Sequence, residues 1–147
     1  MAEDQNSENF EIINENDVCN EIMKQHPSLF YDLDWDEFSL KEALEKNPFH
    51  YQQYGMLWLI EKNKLLKIET MMNDYIGNLY DELKYKSDKK LGKTEIERYY
   101  IPKDEKVKKF KMLYIKQQMR TEVYEYIADT FKQRGFALNS YVKAMQL

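Results

Sequence analysis

The chain has 147 residues and a mass of 17.9 kDa, enough for one domain or for one domain with a tail. It is 43% apolar and 14% aromatic, which is too much for a chain that is disordered throughout. The longest uninterrupted apolar run, residues 56–60, is too short to cross a bilayer. The acidic N-terminus lacks the features of a signal peptide, and Cys19 is the only cysteine, so we expect a cytoplasmic protein without internal disulfides.

The net charge of −4 is the sum of two opposite parts. Residues 1–50 contain 13 acidic and three basic residues. Residues 84–120 contain 13 basic and five acidic residues. The average charge therefore conceals an acidic first third and a basic middle, and the basic middle is a candidate surface for nucleic acid.

The beginning of the chain predicts little structure. Residues 1–23 hold seven acidic residues and no basic one, which indicates a disordered or loosely attached tail. We assign residues 24–147 to a single helical domain. Asp34 or Ser39 is suited to cap a short helix just before Pro48, which stands where a longer helix can begin.

Two proline-free stretches predict long helices. The first covers residues 49–83, where apolar residues recur at the spacing of an a/d heptad. The second covers residues 103–134 and carries two apolar stripes; Gly135 is suited to end it, before a short helix at 139–147. No segment alternates apolar and polar residues over strand length. We therefore predict an all-α fold, with the long helices in an antiparallel hairpin flanked by short helices.

The connection between the long helices, residues 84–102, is irregular and basic. Thr94-Glu95-Ile96-Glu97 has the pattern of a capping box and predicts one or two helical turns that end at Pro102. Lysines attract phosphates and tyrosine rings stack on unpaired bases, so this mixture favours single-stranded nucleic acid without sequence readout. The predicted DNA-binding residues are Lys84, Lys86, Lys89, Lys90, Lys93, Arg98, Tyr85 and Tyr99. The alternative is a solvated lysine-rich connection whose tyrosines belong to the core.

The apolar stripes also bear on assembly. Two helices of this length leave much apolar surface for little partner surface, which favours a closed ring or a dimer. The predicted oligomer interface consists of Trp58, Leu65, Met72, Leu79, Phe131, Phe136 and Tyr141. The alternative is that the heptads form only an intramolecular core.

No motif points to catalysis, a metal or a cofactor. Gly92-Lys93-Thr94 resembles the end of a P-loop, but Ser87 stands where that pattern needs glycine. The acidic residues around Trp35 lack the glycine and glutamate of a calcium loop. His26 and His50 have no Cys or His partner at metal-ligand spacing. We therefore expect a protein that is not an enzyme.

The C-terminal segment Phe131-Lys132-Gln133-Arg134-Gly135-Phe136-Ala137-Leu138 resembles the end of UvsY-type recombination mediators of T-even-like bacteriophages, where a helix ends in Arg-Gly-Phe and an amphipathic segment follows. Other segments fit that family in order: Asp34-Trp35-Asp36-Glu37-Phe38, Tyr54 to Trp58, Ile68-Glu69, Lys93-Thr94-Glu95 and Lys103-Asp104-Glu105-Lys106. The resemblance covers residues 30–147. In this chain the basic residues begin at Lys84, later than in the family, which places them toward the end of the first long helix.

This resemblance implies a function. Mediators of this family bind single-stranded DNA, loosen the single-strand-binding protein that coats it and help to load a RecA-like recombinase. They act as ring-like homo-oligomers without enzymatic activity, in the host cytoplasm when phage-encoded. The alternative is an oligomeric coiled-coil adaptor or structural protein with no nucleic-acid role.

Overall fold

The computed structural model describes residues 14–34, 36 and 39–146, and among these it contains helices and no strand. The predicted all-α fold is therefore confirmed. The α-helices are α1 (Glu15–Gln25), α2 (Leu29–Leu33), α3 (Leu40–Asp81), α4 (Lys93–Glu95), α5 (Ile101–Lys103) and α6 (Glu105–Met145). Wider, π-helical turns over Glu82–Lys86 and Ile96–Tyr100 extend α3 and α4.

Helices α3 and α6 form an antiparallel hairpin. Near the start of α3, the Asn47 amide donates a hydrogen bond to the carbonyl oxygen of Phe131, late in α6, at 3.0 Å. Near the end of α3, the Tyr75 hydroxyl donates to the Asp104 carboxylate, at the start of α6, at 3.0 Å. With 42 residues in α3, the hairpin is about 60 Å long at 1.5 Å per residue.

The first long helix starts earlier than predicted. It begins at Leu40 rather than at residue 49, and it runs through Pro48 without a break. Proline removes one backbone hydrogen bond from a helix and usually kinks or ends it. Here the preceding residue, Asn47, is buried and hydrogen-bonded to the backbone of α6, and this tertiary contact holds both sides of Pro48 in one helix.

The second long helix ends later than predicted. Gly135 was expected to end it, but α6 continues to Met145, and no glycine among the described residues has a positive φ. Leu138 is fully buried, so packing carries the helix past the glycine. A Cβ atom at residue 135 would lie 3.1 Å from the Asn47 amide nitrogen, so Gly135 permits a close approach between α6 and α3. Residues 139–145, predicted as part of a separate helix at 139–147, are the end of α6.

Part of the predicted acidic tail is folded. Helix α1 covers residues 15–25 and buries Val18 and Ile22, one turn apart, against the hairpin. His26, whose pKa is lowered by burial, places its Nε2 atom 3.0 Å from the Tyr124 hydroxyl of α6. The two buried side chains, together with an ion pair between Glu21 and Arg120 of α6 at 3.1 Å, hold this mostly polar segment on the hairpin, and the prediction of a loose tail is wrong from Glu15 onward.

Some predictions fall on positions outside the described residues. These are residues 1–13 of the predicted tail, Trp35, Glu37 and Phe38 of the segment that resembles the mediator family, and Leu147 of the predicted last helix.

The centre of the hairpin contains a buried carboxylate. Glu61 is 5% exposed, and its Oε2 atom accepts hydrogen bonds from Gln117 at 2.6 Å and from Arg120 at 3.4 Å. Lys64 donates to its other oxygen at 3.1 Å. Burial raises the pKa of Glu61, but these hydrogen bonds outweigh it, and the net pKa is lowered. The carboxylate is thus held in its charged form inside the helix pair.

Candidate nucleic-acid interface

The end of the hairpin is a folded unit with its own small core. Ile96, Ile101 and Val107 are buried there, and half-buried side chains of α3 pack against them. We define the basic tip as residues 84–103, which contain seven basic and three acidic residues. The basic connection is therefore held on a scaffold of its own rather than hanging as a loop.

The local structure of the basic tip differs in detail from the predicted capping box. A helix does form there, but it begins at Lys93, and Gly92 occupies the N-cap without a side-chain hydrogen bond. Thr94 thus lies inside the helix instead of capping it. Burial of Ile96 against the end of α3 fixes this segment, so packing rather than capping sets where the helix starts.

All six basic residues predicted to contact DNA are solvent-exposed in the basic tip. They come from its three parts, namely the π-helical end of α3, the bend after it and the helix that follows. These residues are Lys84, Lys86, Lys89, Lys90, Lys93 and Arg98. The fold thus gathers them at one end of the hairpin and leaves their charges available to a polyanion.

The tyrosines of this region divide into two groups. Tyr75 and Tyr80 of α3 are half-buried against the small core, and Tyr100 of the connection is also half-buried. Tyr85 and Tyr99 are 71% and 58% exposed, as a stacking role requires. The two predicted DNA-binding tyrosines are therefore the exposed ones, and their rings lie beside the lysines.

Lysine ammonium groups lie against the rings of these tyrosines. Lys84 Nζ is 5.5 Å from the ring centroids of both Tyr80 and Tyr85, and it donates a hydrogen bond to the Tyr80 hydroxyl. That hydrogen bond raises the pKa of Lys84 above its ordinary value. Lys103 Nζ lies 3.6 Å from the Tyr99 centroid. Each exposed ring is thus paired with a cation, an arrangement that can accept a base and its phosphate together.

Lys103 is a site residue that the predicted set left out. Its signal was present in the sequence, because residues 99 and 103 are four apart and face each other on a helix. Lys106 sits in the same way 4.7 Å from the Tyr75 ring. The Lys103 contact depends on the helical path of residues 93–103, which the irregular sequence of the connection concealed, and the Lys106 contact depends on the packing of α6 against α3.

Asp104 anchors the basic tip to α6. It is the N-cap of α6, and its Oδ1 atom accepts hydrogen bonds at 3.0 Å from the Val107 amide and from the Tyr75 hydroxyl. A carboxylate at this position also interacts favourably with the helix dipole. The bond to Tyr75 ties the start of α6 to the end of α3, so the tip is held from both sides.

Most residues of the predicted oligomer interface are buried or half-buried within the single chain. Phe131 is fully buried and stacks on Tyr54, with ring centroids 5.2 Å apart, so its assignment to an interface is wrong. Trp58 and Leu79 pack against the intramolecular core clusters. Leu65, Met72 and Tyr141 are half-buried, whereas Phe136 is 58% exposed. The heptad seam of α3 thus packs mainly on α6, because the hairpin offers the nearest apolar partner.

The described residues include no group of three or more His, Cys, Asp or Glu side chains arranged to hold a metal ion. Within the same part of the chain, no helix has the length and apolarity needed to span a membrane. No protein-family model matches the sequence, and no curated protein or solved structure matches it either.

Proposed function

We propose that this protein binds single-stranded DNA through the basic tip. The observation that carries the proposal is the exposure of Tyr85 and Tyr99 among seven basic residues on a folded scaffold. Stacking of a base on an aromatic ring contributes about 1–3 kcal/mol, and lysine–phosphate contacts add a salt-dependent attraction. Because every base has a flat face, such a surface binds single strands with little sequence preference.

We further propose that the protein is a non-enzymatic recombination mediator. In this role it would help to load a RecA-like recombinase onto DNA coated by single-strand-binding protein. The support is the resemblance of residues 30–147 to UvsY-type mediators, together with the helical hairpin and its basic end. Self-association would strengthen DNA binding, since several weak tips on one assembly bind one strand with a raised effective concentration.

Fluorescence anisotropy with labelled oligothymidine tests DNA binding. Replacing Lys84, Lys86, Lys89 and Lys90 by alanine should weaken binding strongly at low salt, since four phosphate contacts are lost. A matched control replaces four exposed lysines away from the basic tip, Lys24, Lys41, Lys67 and Lys143. Equal weakening in both variants would show that net charge, not the tip, determines binding. An absence of binding by the wild type would favour the coiled-coil adaptor.

The mediator role has its own assay. On single-stranded DNA that is coated by single-strand-binding protein, a RecA-like recombinase hydrolyses ATP only after it displaces that coating protein. The wild-type chain should shorten the lag before hydrolysis, and the variant lacking the four tip lysines should not. A lag unaffected by a chain that does bind DNA would refute the mediator role and leave single-strand binding standing.

A further inference from the structure

An open groove runs along the hairpin, far from the basic tip. It has a volume of about 680 Å³ and lies between the first half of α3 and the second half of α6. Its apolar lining includes Met56, Leu59 and Tyr126, which are 58%, 56% and 74% exposed. Large apolar side chains grouped in this way on a hairpin surface are typical of an interaction site.

The wall that α6 contributes to this groove continues toward the start of the helix as one charged stripe. Residues spaced alternately three and four apart lie on one helix face. The members of the stripe are Lys108, Lys111, Ile115, Gln118, Glu122, Glu125 and Asp129. The stripe is basic at its start, uncharged at its centre and mainly acidic where it lines the groove, although the groove lining also includes Lys132, three residues beyond Asp129.

The apolar surface of α3 beside the groove also continues toward the centre of the hairpin. Leu66 follows Leu59 by seven residues, so both lie on the same helix face, and Leu66 is 51% exposed. Ile115, at the centre of the charged stripe, is 44% exposed. Apolar exposure thus extends from the acidic groove to the middle of the molecule, between the two charged halves of the stripe.

The charges along the stripe are complementary to those of a second, identical stripe that runs in the opposite direction. Lys111 precedes Gln118 by seven residues and Glu125 follows it by seven, so both lie two helical turns from the centre. We propose that this face is a two-fold contact between two copies of the chain, with the symmetry axis near Gln118. Lys111 of each copy then lies against Glu125 of the other, and Lys108, which also pairs with Glu105 in its own chain at 3.3 Å, approaches the acidic end.

This contact accounts for two surface features of the single chain. It covers the exposed apolar residues at the groove, and it brings Lys111 and Lys108 of the other copy, which are opposite in charge, to Glu125 and Asp129, which line the groove. A two-fold interface uses the same patch on both copies, as a self-complementary stripe requires. The inference rests on the self-association in the proposed function and names its contact. A two-fold contact closes at two copies, so a ring would need a second contact between such pairs.

A disulfide at the symmetry axis tests the geometry. On the axis, residue 118 meets its own counterpart, so Gln118→Cys in a Cys19→Ser background should form a covalent dimer under mild oxidation. A disulfide needs Cα atoms within about 7 Å. Lys116→Cys in the same background is the matched control, since residue 116 is exposed but lies off the stripe. Cross-linking of the control as efficiently as the test variant, or no cross-link in the test variant, overturns the proposal.

Charge reversal tests the same contact without a covalent bond. Lys108→Glu with Lys111→Glu makes the stripe wholly acidic, and Glu122→Lys with Glu125→Lys makes its acidic half predominantly basic. In sedimentation equilibrium, each variant alone should dissociate with a constant raised about tenfold or more. An equimolar mixture of the two should form a heterodimer, and all four reversals in one chain should restore the homodimer.

The outcomes separate this inference from the proposed function. A wild-type chain that stays monomeric, or reversal variants that associate like the wild type, overturn the two-fold contact. The same holds if mixing the two variants restores nothing, since a folding defect is excluded by an unchanged helical circular dichroism spectrum. Loss of oligothymidine binding in the basic-tip variant is measured independently, so the DNA proposal and the contact can fail separately.

Discussion

Phe131 offers a test that distinguishes a core residue from an interface residue. Its side chain is fully buried, and its ring stacks with the rings of His50 and Tyr54, each with a centroid 5.2 Å away. Replacing a buried phenylalanine by alanine costs about 3–5 kcal/mol, from lost transfer energy and from the cavity left behind. The rings of His50 and Tyr54 also lose their stacking partner, so we expect the loss of folding free energy to lie at the upper end of that range, about 4–5 kcal/mol.

Urea unfolding followed by circular dichroism measures this loss. Phe136→Ala is the matched control, because Phe136 lies five residues away on the same helix and is 58% exposed; its loss should be below about 1 kcal/mol. The loss at Phe131 should not change with protein concentration, since the contacts are within one chain. A loss below about 1 kcal/mol, or one that disappears on dilution, would refute the assignment of Phe131 to the core.

Three further predictions follow from particular contacts. Gly77→Ala should stabilise the fold by about 1 kcal/mol, since an added Cβ atom there meets nothing within 4 Å. Gly135→Ala should stabilise the fold less, or destabilise it, because its Cβ atom meets the Asn47 amide at 3.1 Å. Thermal unfolding of the two variants measures this difference. The pKa of Glu61 is lowered in the folded state, so its charge stabilises the fold above the ordinary pKa of 4.5 and this contribution is lost as the pH falls through the lower, folded value. Glu61→Gln should therefore be less stable than the wild type at pH 7, with a gap that narrows in urea titrations as the pH falls below 4.5; a constant gap would contradict the ion network. Tyr85→Ala with Tyr99→Ala should weaken oligothymidine binding by about 1–3 kcal/mol per stacked base, while phenylalanine at both positions and Tyr31→Ala, at a residue 78% exposed near the other end, should leave it unchanged.

The helical hairpin could be predicted from the sequence because its signal is periodic. The heptad over residues 49–83 arises from the same a/d packing that joins α3 to α6. The ends of the helices could not be predicted in this way. Pro48 and Gly135 usually end helices; here Asn47, which bonds to a carbonyl 84 residues away along the chain, holds the helix through Pro48, and burial of Leu138 carries the helix past Gly135. A contact between residues so far apart in the sequence produces no local sequence pattern from which it could be predicted.

In the candidate site, too, features set by local sequence could be predicted, whereas features set by contacts between distant residues could not. The lysine cluster could be found by composition alone, since charge needs no folding to be counted. Which tyrosines are exposed depends on how 93–108 packs against α3, and the sequence left both possibilities open. The interface prediction assigned Phe131 to a neighbouring copy, because an apolar stripe does not reveal whether its partner lies in the same chain or in another. The proposed two-fold contact rests on a different pattern, the reversal of charge along α6 around Gln118.

The measurement that tests the central claim most directly is the salt dependence of oligothymidine binding. Plots of the logarithm of affinity against the logarithm of salt concentration fall with a slope of about −0.7 for each phosphate contacted on a single strand. The wild type should bind at low salt with a steep negative slope. Replacing Lys84, Lys86, Lys89 and Lys90 by alanine should flatten the slope by up to about 2.8, at 0.7 per contact, with the assembly state unchanged. An unchanged slope in that variant, or no binding by the wild type at micromolar protein, would contradict the proposal that the basic tip binds DNA.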